Sequence, residues 1–107
     1  MKESLSPVLD EDGFLEDSGE WNEQVARRMA AELGVRELND EHFRVIADIR
    51  EHCLEHGSLC AMETICDRLG MEKNCIRKLF GGPVEAWKIA GMPNPGLEAL
   101  TYMKNEE

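Results

Sequence analysis

The sequence predicts a mainly α protein: a single small helical domain with an N-terminal β-hairpin, a helix-turn-helix-like segment and an extended C-terminal arm. Three observations carry that prediction. Apolar residues recur at helical spacing through two long stretches, Trp21–Leu33 and His42–Cys53. Glycine, alone or before proline, punctuates every stretch. At 107 residues the chain has room for one domain, large enough to bury a modest core without a metal or disulfide. The body is expected over 1–91 and the arm over 92–107.

Residues 5–17 place two short apolar pieces around Asp10-Glu11-Asp12-Gly13, and a Gly after an Asp is the usual signal of a tight hairpin. Ser18 is the expected N-cap of the first helix, with Glu20 and Glu23 near its positive end. Trp21, Val25, Met29 and Leu33 follow at intervals of four, and Gly34 closes the helix. Asn39 is the expected cap of the second helix, with Asp40 and Glu41 in its first turn. His42, Val45, Ile46, Ile49 and Cys53 form its core-facing stripe, and Gly57 ends it. Two short helices, 61–69 and 72–80, follow around Gly70-Met71. Their apolar residues Ile65, Leu69, Ile76, Leu79 and Phe80 can meet across the turn. Pro83 suits the first position of another helix, running to Ile89. The run Met92-Pro93-Asn94-Pro95-Gly96 cannot be regular helix, so an arm follows, with a short helical end at Leu97–Met103.

The formal charge of −10 argues against a nonspecific grip on nucleic acid or an anionic membrane, which requires clustered Lys and Arg. That acidity is uneven. Residues 1–25 hold eight acids against Lys2 alone, whereas residues 68–88 hold five cations against Glu72 and Glu85. No segment approaches the roughly 20 apolar residues of a membrane helix, and the N-terminus lacks the apolar core of a secretory leader. A cytoplasmic location is expected, and with it four thiols rather than disulfides.

Several runs resemble one family. Asp12-Gly13-Phe14-Leu15 followed by Trp21 is similar to its opening. Leu38-Asn39-Asp40-Glu41-His42-Phe43 resembles its Leu-Thr-x-x-His-Trp, and Ile49-Arg50-Glu51 its Leu-Arg-Glu. Leu79-Phe80-Gly81-Gly82-Pro83 and Lys88-Ile89-Ala90-Gly91-Met92-Pro93-Asn94-Pro95 are similar to its Leu-Phe-Pro-x-Gly-Pro and Lys-Ile-Ala-Gly-Leu-Pro-Lys-Pro. These cover about residues 8 to 96 and identify the chain as a divergent member of the DsrC/TusE sulfur-relay family. The resemblance implies a helical domain with an N-terminal hairpin and a mobile arm. It also implies a cysteine at the arm's tip that carries sulfur to a tRNA-thiolation enzyme or presents it to dissimilatory sulfite reductase.

Here the pattern departs. Glu98 occupies the place of the carrier cysteine, and Trp87 that of the second arm cysteine found in some members. No cysteine lies beyond Cys75. Glu63 and Asp67 stand where the family has cations, and the loop after them is shortened to Gly70-Met71. A surface of inverted charge selects different partners. The chain is therefore expected to be a noncatalytic binding or regulatory protein. It would bind partners of sulfur metabolism, either sulfur-transfer proteins or a sulfite reductase, through Trp87, Lys88, Met92, Pro93, Pro95, Gly96 and Leu97.

Two alternatives stay open. Sulfur carriage could have moved to another thiol, most plausibly Cys60. The segment 61–80 has the shape of a helix-turn-helix, with Lys73, Arg77 and Lys78 as candidate DNA contacts, although two packed helices with solvated charges is the simpler account. His52, Cys53, His56 and Cys60 lack the spacing of a metal site, and no metal or cofactor is expected. His42 at a helix start is expected to satisfy a local hydrogen bond. No nucleophile–base pair, carboxylate dyad or phosphate loop is visible, so no enzymatic activity is expected.

Overall fold

The computed structural model describes residues 9–35, 37–53, 63–94, 96 and 100–101. Among them are five α-helices: α1 Glu23–Glu32, α2 Asp40–Asp48, α3 Glu63–Arg68, α4 Cys75–Phe80 and α5 Pro83–Ile89. The first described residues reverse direction. Leu9 and Leu15 form one antiparallel bridge, the Asp10 N–H donates to the Phe14 carbonyl at 2.7 Å, and Gly13 turns the chain with φ +90°. The expected hairpin is thus a tight reversal with a single bridge. Residues 5–8 lie outside the described residues.

Ser18 is not the N-cap of α1. Asp17 takes up the local backbone instead, accepting the Gly19 N–H on its side chain and the Glu20 N–H on its carbonyl, and residues 18–20 close into a 3-10 turn. The helix starts after Asn22, whose side-chain oxygen accepts the Val25 N–H at 2.9 Å. Val25 and Met29 of the expected stripe are buried together with Ala26 and Ala30.

Asn39 caps α2 as expected, accepting from Glu41 and His42. His42 completes a reciprocal cap. Its Nδ1 accepts the Asn39 N–H, and its Nε2 donates to the Leu79 carbonyl at 2.8 Å, while the ring meets Phe80 edge-on. A buried imidazole that satisfies the backbone of two helices serves structure. His42, Val45, Ile46, Ile49 and Cys53 are all buried. After Asp48 the helix widens to a π turn over Ile49–Cys53. Gly57, its expected end, lies outside the described residues.

Three helices end in the same way. At α1, α3 and α5 a glycine with positive φ (Gly34, Gly70, Gly91) follows the last turn, and the next residue donates back to the helix. Val35 donates to Ala30, Met71 to Cys66 and Met92 to Trp87. In this Schellman closure the apolar residue after the glycine folds onto the helix, which is why Met92 is core rather than arm. Packing joins α1 to α5, α4 to α5, and α2 to both α3 and α4.

The cysteines depart from expectation. Cys66 and Cys75 are joined by a disulfide with Cα atoms 5.9 Å apart, tying α3 to α4, and Cys53 is also disulfide-bonded. The expectation of free thiols rested on compartment alone. It took no account of the Gly70-Met71 reversal that brings Cys66 and Cys75 face to face. Cys60 lies outside the described residues.

A second link holds α3 to α2. The Asp48 carboxylate, only 9% exposed, accepts from Arg68 Nη2 at 2.7 Å and lies 3.1 Å from His52 Nδ1. The hydrogen bond from Arg68 to Asp48 raises the guanidinium above its ordinary value. Arg68→Met removes this donor and leaves a nearly buried carboxylate under-satisfied. It is expected to lower unfolding stability by about 1–3 kcal/mol, read as a lower urea midpoint with an unchanged slope.

Candidate functional site: the root of the arm

At the end of α5 and just past it, three backbone carbonyls are met by large side chains, two of them from distant parts of the sequence. Trp21 Nε1 donates to the Ile89 carbonyl at 2.9 Å, Arg50 Nη1 to Ala90 at 2.8 Å, and Trp87 Nε1 to Pro93 at 2.8 Å. The Arg50 guanidinium also lies 4.5 Å above the Trp21 ring. Burial pulls Arg50 below its ordinary value, but an arginine stays charged, and its charge suits the negative end of α5. The arm's root is held from below by one cation and two indoles.

Beyond that seat, Pro93, Asn94 and Gly96 are exposed. Asn94 Nδ2 donates to Asp10 at 3.1 Å and to Asp12 at 2.9 Å, while its Oδ1 accepts the Gly96 N–H. Lys88 sits half-buried with its Nζ 5.1 Å from the Phe14 ring centroid. The acidic reversal and the arm therefore share one polar clasp.

Burial alone would push the Asp10 carboxyl up, but donors from the Phe14 backbone, the Asn94 side chain, and the Asp12 and Gly13 backbone together hold it below its ordinary value of 3.8. A lowered folded-state value gives stability that is present above the unfolded value and is lost as pH falls through the folded one. Accordingly, Asp10→Asn is expected to be less stable than the parent at neutral pH, with the gap closing below about pH 4. Parallel urea titrations at pH 7 and pH 3 check this, and a gap of constant size would refute it.

The sequence-predicted docking residues separate into two groups. Trp87 and Met92 are 2% and 1% exposed, so they support the root and offer no surface. Lys88, Pro93 and Gly96 reach solvent. Pro95, Leu97 and Glu98 lie outside the described residues. Trp21, Arg50 and Asn94 were not singled out as site residues. Trp21 and Arg50 stood within the matching runs, but nothing local shows that their partners are carbonyls 68 and 40 residues away.

Lys73, Arg77 and Lys78 are exposed near α4, and Lys78 pairs with Glu72. That helix has only six residues, and no observation beyond these cations favours a groove-reading role. His52 is engaged by Asp48 and Cys53 is disulfide-bonded, whereas His56 and Cys60 lie outside the described residues. Among the described residues no cluster of metal ligands occurs, and no helix is long and apolar enough to cross a membrane.

The family model described as "DsrC like protein" matches residues 3–97. The sulfurtransferase TusE of Salmonella paratyphi A is 34% identical over 95 residues, covering 80% of this chain and 86% of that protein. The TusE homolog of Haemophilus influenzae is 35% identical with the same coverage. The crystal structure of the oxidized gamma-subunit of the dissimilatory sulfite reductase (DsrC) from Archaeoglobus fulgidus superposes with a TM-score of 0.70 at 34% identity. It covers 85% of this chain and 90% of that one. The chain belongs to the DsrC-like family.

Proposed function

We propose that this protein acts in the sulfur metabolism of the cytoplasm as a noncatalytic adaptor or regulator. It docks onto sulfur-transfer proteins or a sulfite reductase through Lys88, Pro93, Asn94 and Gly96, which reach solvent, together with their sequence neighbours Pro95 and Leu97. The supporting observation is the family match over residues 3–97 together with Glu98 where the family resemblance, continued past Pro93-Asn94-Pro95, expects the carrier cysteine. A carboxylate cannot form the sulfur–sulfur bond that carriage requires, whereas the docking edge does not depend on that thiol.

A graft tests this. Wild-type chain and Glu98→Cys are incubated with a persulfide donor, and the tryptic arm peptide is weighed. In parallel, both are titrated against a sulfurtransferase partner. Both proteins are expected to bind with similar affinity, with sulfur gained on the arm by the variant alone. Truncation after Asn94, which spares the buried Met92, is expected to weaken binding at least tenfold. Undiminished binding after truncation would remove the arm from the interface. A stoichiometric persulfide on a wild-type cysteine, Cys60 included, would make the protein an active carrier with a relocated thiol.

A further inference from the structure

We infer that the Cys66–Cys75 disulfide is a thiol-exchange site with a fixed direction of attack, in which Cys75 is the sulfur that accepts an incoming thiolate. The inference goes beyond the adaptor function and rests on separate observations. The two sulfurs differ in access. Cys66 is fully buried. Cys75 lines an open cleft of about 400 Å3 between the first turns of α2 and the α3–α4 turn. Leu69, Met71 and Leu79 give that cleft an apolar lining, and its charges balance, Arg44 and Lys78 against Glu41 and Glu72. Cys75 keeps 5% of its surface exposed and Cys66 none, so the approach from the cleft favours Cys75.

In the exchange, the thiolate forms a bond to Cys75 Sγ. The Cys66–Cys75 bond breaks with its electron pair passing to Cys66 Sγ, which takes up the proton that the attacking thiol released on ionising. The products are a mixed disulfide on Cys75 and a thiol on Cys66. A second thiolate then attacks the outer sulfur of that mixed disulfide, the Cys75 thiolate leaves and takes up a proton, and two protein thiols and an oxidised thiol pair remain. The reductant class is therefore a monothiol used twice or a dithiol. In a reducing compartment a protein disulfide is usually transient or redox-sensing rather than a permanent staple, and an attackable sulfur at a cleft meets that requirement.

Opening the bond has a local consequence. Helix α3 is six residues long, and the disulfide is its covalent tie to α4. Among the described residues, the Arg68–Asp48 pair, the hydrogen bond from Arg44 to the Leu69 carbonyl, the turn at Gly70-Met71 and the packing of Ile65 remain. Reduction is expected to loosen α3 while α1 and α5, which pack on each other, keep their protection.

Trypsin provides the readout, because cleavage after Lys73 and Arg77 isolates Cys75 on Asn74–Arg77, apart from Cys53, Cys60 and Cys66 on Glu51–Arg68. The native oxidised chain is exposed briefly to glutathione, quenched by alkylation and mapped by tandem mass spectrometry. The glutathione adduct is expected on Cys75 at least tenfold over Cys66, with the alkyl group on Cys66. After full reduction by a dithiol, amide exchange over Glu63–Arg68 is expected to rise at least tenfold while Glu23–Glu32 stays unchanged. The inference is overturned by an adduct that favours Cys66, or by a native chain that resists glutathione while the urea-unfolded chain reacts.

Discussion

Gly91→Ala is expected to lower the stability of this protein by roughly 2–5 kcal/mol, a large share of the about 5–15 kcal/mol that holds such a domain together. Two separate costs combine. Gly91 has φ +73°, a conformation that costs an L-residue about 1–2 kcal/mol. A Cβ there would also fall 2.6 Å from Cγ and 2.8 Å from Cβ of Trp21, and forcing such overlap adds about 1–3 kcal/mol. Trp21 cannot easily retreat, because its Nε1 holds the Ile89 carbonyl and Arg50 covers its ring. Gly81 separates the two costs. It has φ +96° with nothing within 4 Å of the added Cβ, so Gly81→Ala carries the backbone cost alone. Chemical denaturation of both variants should place Gly91→Ala well below Gly81→Ala. Equal losses would mean that Trp21 yields freely and does not fix the arm's root.

Trp87→Ala is expected to cost about 3–5 kcal/mol, the usual range for emptying a buried aromatic site, and to leave a fraction of the chain unfolded at 37 °C. Lost partner binding in that variant would say nothing about docking. Trp87→Phe is the informative change. It keeps most of the ring volume but removes the Nε1 donor to Pro93, for an expected loss of roughly 1–2 kcal/mol. The helical body is expected to remain folded, with faster amide exchange at the arm's root and weaker binding by the adaptor edge. A Trp87→Phe protein with unaltered exchange beyond Met92 would show that the indole fills space without fixing the arm.

The helices were legible where one residue decides the matter locally. Asn39, Gly34 and Pro83 each mark a helix boundary through their own backbone or side-chain chemistry, and each stands where the sequence placed it. The stripe from His42 to Cys53 was equally plain, because period and burial agree. Ser18 misled because two residue types with the same capping chemistry lie four apart, and only Asp17's claim on the intervening backbone decides between them. Helix α3 stops at Arg68 because the chain turns at Leu69-Gly70, and α4 starts at Cys75 because Lys73-Asn74 close as a turn; residues 61 and 62 lie outside the described residues. The site was less legible than the fold. Trp87 was expected among the docking residues, yet the partner of its indole N–H, the Pro93 carbonyl, exists only once the chain has turned at Gly91. Met92 was assigned to the arm for its neighbouring prolines, yet the Schellman closure folds it under Trp87. The disulfide left no mark at all, since a spacing of nine residues carries no signal until a turn folds the two cysteines together.

The packing of α1 against α5 sets a condition on biosynthesis. The first helix to leave the ribosome finds its partner only in the last, so Val25 and Met29 stay without their native cover while about 60 further residues are added. At roughly 5–20 residues per second that interval lasts about 3–12 s. For those seconds the growing chain displays an apolar stripe beside the eight acids of residues 1–25, whose like charge opposes association with neighbouring chains.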